Sequence, residues 1–277
     1  MLFYRDYGAR MCHNPASHPP VFQPALGPVA SADTLVLTSG DGSPFSAFHA
    51  VPAPAHARGT SVLVLPDNRG LTGFYEDLCI RLAEQGHAAL AIDYYGRTAG
   101  ADRTTRGEDF AFMEHLFQVT REGLFADIRT GIGALPSTDV VVLGFCFGGR
   151  QAFLSAAPEF GVRGVIGFYG YPDELFGAPG PTQLAGTFVV PVLGLFGAAD
   201  AGITAAHVSA FDHALGDLPH ELVTYPDMPH SFFDIPDTDP ADTDPADTDS
   251  PDTDPADPAT RAAACADAWQ RVMTFLR

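Results

Sequence analysis

Six short, largely apolar runs limit what this chain can fold into: Ser61 to Leu65, Ala88 to Ile92, Val140 to Leu143, Val165 to Phe168, Val192 to Phe196 and Leu222 to Tyr225. None of them alternates cleanly between apolar and polar residues. A strand that is apolar on both faces has to be covered on both faces, which predicts a mainly parallel, twisted sheet with helices above and below. The stretches between the runs supply those helices. Helical spacing predicts Phe74 to Gln85 closed by Gly86, about Asp109 to Val119, Arg121 to Leu135, a helix beginning near Arg150, Ala206 to Leu215, and Thr260 to Leu276. The last of these carries Trp269, Val272, Met273 and Leu276 on one face and is expected to dock on the sheet. Ahead of the first run, Leu35-Val36-Leu37, the turn Gly40-Asp41-Gly42-Ser43 and Phe45 to Phe48 read as a hairpin at the sheet edge. With 277 residues and 46% hydrophobic content, the chain can bury one large core. The expected organisation is an arm over residues 1–33, rich in Pro, His and Gly, and a single α/β domain over 34–277.

The arm holds Cys12, His13 and His18, but no second pair at ligand spacing, so they read as surface residues rather than a metal cluster. A second segment, residues 236–258, repeats Asp-Thr-Asp-Pro-Ala and contains nine Asp and no positive charge. It cannot bury a core, and its prolines block helix and sheet, so a disordered, self-repelling insertion is expected. Calcium binding by its Asp-x-Asp spacing is the weaker reading, because the Gly bend and terminal Glu of an EF-hand loop are missing. The formal charge of −19 argues against nucleic acid or an anionic membrane as partner. All 15 positive side chains are Arg, so Lys-based chemistry is excluded. Four scattered cysteines, no C-x-x-C, no apolar run of signal-peptide length and none near ~18 residues point to a reducing, cytoplasmic setting.

Chemistry concentrates at Gly144-Phe145-Cys146-Phe147-Gly148-Gly149, where an apolar run turns sharply into a helical stretch. This is the nucleophile-elbow pattern G-x-S-x-G with Cys in the Ser place. Asp200 ends a later run and His230 follows the last one, which gives the order nucleophile, acid, base. The chain resembles the dienelactone hydrolase family, the cysteine branch of the α/β-hydrolase fold. The resemblance rests on that elbow, Phe196-Gly197-Ala198-Ala199-Asp200 and Pro229-His230-Ser231-Phe232. Gly167-Phe168-Tyr169-Gly170 and Gly86-His87-Ala88-Ala89-Leu90-Ala91-Ile92-Asp93 support it.

The resemblance implies hydrolysis of a small-molecule ester or lactone, with no metal and no organic cofactor. It implies also that a family Glu facing the nucleophile is replaced here by Asp67, one methylene shorter, as a candidate for tuning the thiol. A turn-capping role for Asp67 stands beside that one, since Asp is favoured in Pro66-Asp67-Asn68-Arg69-Gly70. Arg69, Arg97, Arg103 and Arg106 lie in loops that can reach the mouth; Arg69, Tyr95 and Arg97 are the substrate-binding candidates.

A Cys at a helix N-terminus beside a His favours the thiolate, with Asp200 fixing the imidazole. The backbone N–H groups of Phe147 and Asn68 are the expected oxyanion donors. Two other classes compete with a Cys-His-Asp hydrolase: a ligand-binding homologue without turnover, and a thiol redox protein using Cys146. The sequence does not give the oligomeric state or the natural substrate.

Overall fold

The computed structural model describes residues 17–20, 25–107, 110–234 and 257–277. Eight strands form one sheet in the order β1-β2-β4-β3-β5-β6-β7-β8. They are β1 (Val29–Thr38), β2 (Pro44–Pro52), β3 (Ser61–Leu65), β4 (Ala89–Ile92), β5 (Val140–Phe145), β6 (Gly164–Phe168), β7 (Val192–Gly197) and β8 (His220–Tyr225). β1 pairs antiparallel with β2 and β2 antiparallel with β4, whereas every pair from β4 through β8 is parallel. The fold is that of an α/β-hydrolase, with the hairpin at one edge as expected.

The helices are α1 (Gly73–Glu84), α2 (Gly96–Ala99), α3 (Phe112–Leu116), α4 (Arg121–Ala134), α5 (Phe147–Leu154), α6 (Pro181–Leu184), α7 (Ala205–Leu215) and α8 (Pro258–Phe275). All five residues of β3 and of β6, and all six of β5 and of β7, are buried, which is why those runs show no alternation.

Several boundaries differ from expectation, among them four at the ends of β1, α3, α5 and α8. β1 starts at Val29, within the stretch read as an arm, because its pairing with β2 runs on to Pro52. α3 is a short helix rather than one reaching Val119, since Thr120 takes the extended conformation to cap α4, accepting from the Gly123 N–H. α5 starts at Phe147, immediately after the elbow. α8 starts at Pro258, where proline suits the first helical position, and Asp257 caps it by accepting from the N–H groups of Ala259 and Thr260 at 3.0 and 3.2 Å. The rest of the Asp-rich segment, like Cys12 and His13 of the arm, lies outside the described residues. His18 is described and pairs with Asp77 at 2.9 Å on the surface. Among the described residues no helix is long and apolar enough to cross a membrane.

Candidate active site

The register of the parallel strands brings the candidate residues to one rim of the sheet. Leu65 pairs with Gly144 and Phe145 with Phe168, so the turns after β3, β5 and β6 emerge side by side. Gly197 pairs with Tyr225, which sets the Asp200 turn beside the His230 turn. Those last two turns are tied by Ala198 N–H to Tyr225 C=O and Ala199 N–H to Met228 C=O, both 2.9 Å.

Cys146 sits between β5 and α5 with φ 52° and ψ −112°, a conformation that L-residues avoid. Neighbouring packing enforces it. A Cβ on Gly144 would lie 2.0 Å from the Gly148 carbonyl oxygen, and one on Gly148 would lie 2.1 Å from that of Leu65. Only glycines let the strand, the turn and the helix approach this closely. The Cys146 N–H donates to Phe168 C=O at 3.0 Å, and the side chain stays partly exposed. Cys79 and Cys265 are buried, and burial drives the Cys79 thiol pKa far above its usual range.

Asp200 combines two roles, capping its own turn and holding an imidazole. Its Oδ1 accepts from the N–H groups of Gly202 and Ile203 at 2.8 and 3.1 Å, and its Oδ2 lies 2.6 Å from His230 Nδ1. A carboxylate only accepts, so Nδ1 carries the hydrogen and Nε2 is the nitrogen available for chemistry. Both side chains are buried, and Nε2 makes no conventional hydrogen bond. The Cys146 sulfur is nevertheless near enough to act on the ring. Burial opposes the imidazolium, but the Asp200 carboxylate and Cys146 outweigh it and hold the His230 pKa well above its ordinary value. Burial likewise opposes the Asp200 carboxylate, and His230 with the two backbone N–H groups outweighs it, so the Asp200 pKa is lowered.

The turn after β3 brings Asp67, Asn68 and Arg69 to the same rim. Asp67 is buried; its Oδ1 accepts from the Arg69 N–H at 2.8 Å, and its own N–H donates to Tyr75 OH at 2.9 Å. That is the turn-capping geometry. Asn68 is buried, its carbonyl accepting from Tyr95 OH and its Nδ2 lying 3.9 Å from Met113 Sδ. Phe147 opens α5, where an N–H has no acceptor within the helix, and its ring meets Tyr94 edge-on at 5.2 Å.

Two of the three substrate-binding candidates are engaged by other parts of the fold. Arg97 is held between Asp41 at 2.5 Å and Asp127 at 2.7 Å, with Ser43 and the Gly123 carbonyl beside them, so it braces the hairpin turn against α4. Tyr95 is fully buried behind the Asn68 turn and supports it from below. Arg69 stands over the Phe112 ring at 5.3 Å. With Leu71, Arg103, Arg106, Phe110 and Phe112 it lines a cavity of about 500 Å³; neither Cys146 nor His230 is among the walls. Arg103 pairs with Glu76, and Arg106 pairs with the buried Asp93 at 2.7 Å.

Sequence reading missed Tyr169 as a neighbour of the site. It is buried with φ 38°, and its ring packs 4.9 Å from that of His230. The run Gly167-Phe168-Tyr169-Gly170 was its only signal.

A model of the dienelactone hydrolase family matches residues 45–277. A carboxymethylenebutenolidase of Rhodococcus opacus is 30% identical over 191 residues, covering 66% of this chain and 70% of its own. An Escherichia coli O157:H7 protein provisionally given the same name is 27% identical over 283 residues, covering 92% of this chain and 94% of its own. A solved structure from Klebsiella pneumoniae, provisionally named a dienelactone hydrolase, is similar with TM-score 0.68 at 25% identity, covering 89% of this chain and 98% of its own.

Proposed function

The chain belongs to the dienelactone hydrolase family and is a hydrolase of carboxylic ester or lactone bonds, and from that premise we propose that it works through Cys146, His230 and Asp200 by way of a thioester acyl-enzyme. The observation that carries this reading is the buried 2.6 Å Asp200–His230 contact beside a cysteine held at φ 52°. The Cys146 thiolate attacks the acyl carbon, a C–S bond forms, and the carbonyl electron pair moves onto oxygen. The N–H groups of Phe147 and Asn68 receive that oxyanion. Collapse expels the alkoxide, which takes the proton from His230 Nε2; in a lactone the alcohol stays tethered to the acyl group. His230, now neutral, takes a proton from water as the water attacks the thioester. The thiolate leaves, and the thiolate–imidazolium pair is restored as the acid departs. Asp200 keeps the ring in the tautomer that both steps require.

Arg69, facing the cavity beside the Asn68 turn, is the proposed contact for an anionic part of the substrate. The test is turnover of activated esters and unsaturated lactones by the wild type and by Cys146→Ala, with mass spectrometry of the intact protein during turnover. An acyl adduct on Cys146 and loss of activity in the variant are expected. Full activity in Cys146→Ala overturns the mechanism.

A further inference from the structure

His230 begins a bent segment that pairs with no strand; Phe232 and Phe233 anchor its side chains in the core, against Phe168, Tyr169 and Trp269, while its backbone carbonyls need partners of their own. Ser231, next to it, has φ 51°, a strained value for a residue with a Cβ. The Asp200 contact fixes one ring atom and the Tyr169 ring packs beside it, but the ring is carried by its own backbone. Where Nε2 points therefore depends on where the backbone of residues 230–232 is held.

That backbone is gripped from α8. Arg261 Nη2 donates to Ser231 C=O at 3.1 Å and to Asp234 Oδ1 at 2.7 Å, and its Nε donates to Phe232 C=O at 3.1 Å. One helical turn on, the Cys265 thiol donates to the same Phe232 carbonyl at 3.1 Å. The guanidinium and Asp234 are both largely buried, at 14% and 10% side-chain exposure, so these contacts are shielded from water. A planar fork serves three acceptors at once, which an ammonium group on a flexible stem does poorly.

We propose that Arg261 is a positioning residue: by holding the two carbonyls that follow His230 and the carboxylate of Asp234, it aims His230 Nε2 at Cys146. The proposal rests on the reading of His230 as the base. Arg261 touches neither substrate nor reacting atom, so its effect should appear in the Cys146–His230 pair and in kcat, with KM unchanged.

The experiment measures the rate of Cys146 alkylation by iodoacetamide from about pH 5 to about pH 9, together with kcat and KM for p-nitrophenyl acetate. It uses the full chain as wild type, Arg261→Ala and Arg261→Lys, with and without millimolar guanidinium. In the wild type, Cys146 is expected to react below the range of an ordinary thiol. Arg261→Ala should move the profile towards ~8.5 and lower kcat by about 10- to 100-fold, with KM held and part of the loss recovered by guanidinium. Arg261→Lys keeps the charge next to Asp234 and tests the fork alone, which covers an alanine variant that does not fold; a loss of about tenfold in kcat is expected. Wild-type kcat and a wild-type alkylation profile in either folded variant overturns the proposal. An ordinary thiol profile in the wild type overturns the thiolate–imidazolium reading first, and this proposal with it.

Discussion

Cys146 differs from Cys79 and Cys265 in its surroundings rather than its chemistry, since those two are buried and Cys146 stands partly exposed at a helix N-terminus near an imidazole. Iodoacetamide should therefore label Cys146 before either of them, with loss of ester hydrolysis in step; peptide mapping that finds Cys79 or Cys265 labelled first would refute this. His230→Ala should lower kcat by about 10²- to 10⁴-fold, the usual worth of a positioned acid–base group, as read by steady-state kinetics. Asp67 allows a cleaner test than its burial suggests. Asn at this position keeps an oxygen for the Arg69 N–H, so the turn is retained and only the charge is lost. If the carboxylate also tunes the thiol, Asp67→Asn slows Cys146 alkylation at neutral pH and reduces turnover while the melting temperature holds. Identical alkylation profiles would leave Asp67 with the turn alone. The neighbourhood of Cys146, Asp200 and His230 was legible in the sequence because each ends or follows a strand of one parallel sheet, and such strand ends share a rim. The partner of a loop arginine was not legible. Arg97 looked as available as Arg69, and only the fold shows that Asp41 and Asp127, far apart in sequence, both reach it.

At the scale of elements, the elbow is held by the absence of side chains more than by any contact. Gly148→Ala places a methyl 2.1 Å from the Leu65 carbonyl oxygen, and the backbone of β3 cannot yield without disturbing its pairing with β4 and β5. The substitution should destabilise the protein by about 3 kcal/mol or more, as measured by denaturant unfolding, whereas alanine at Gly133, where a Cβ meets nothing within 4 Å, should be tolerated. The central strands and longer helices were legible because burial on both faces leaves continuous apolar runs and helix packing leaves a 3.6-residue period. Element ends were less so. The start of α8 turned on Asp257 and Pro258, which by composition belong to the Asp-Pro repeat and by hydrogen bonding belong to the helix. Arg261 gave no sequence signal, because a basic residue early in an amphipathic helix reads as a solvated one.

At the scale of the whole molecule, the Asp200–His230 pair ties stability to pH with a defined sign. The His230 pKa is raised, so its contribution is complete below the unfolded value of 6.5 and is lost as the pH rises through the folded value. The Asp200 pKa is lowered, so its contribution is present above 3.8 and is lost as the pH falls through the folded value. The melting-temperature gap between wild type and His230→Gln should be widest between those two pH values and narrow in alkali; an equal gap at pH 5 and in strong alkali would count against an ion pair. α8 also joins the two ends of the sheet. Arg261, near its start, grips the segment after His230, whereas the Phe275 carbonyl, at its far end, accepts from Arg163, the residue before β6 begins. Its 18 residues, at ~1.5 Å each, span roughly 27 Å. A linker joined after Arg277 therefore leaves from the pole opposite the cysteine. Immobilised on a bead or an electrode by that route, the enzyme would turn its mouth to the flowing solution rather than to the support.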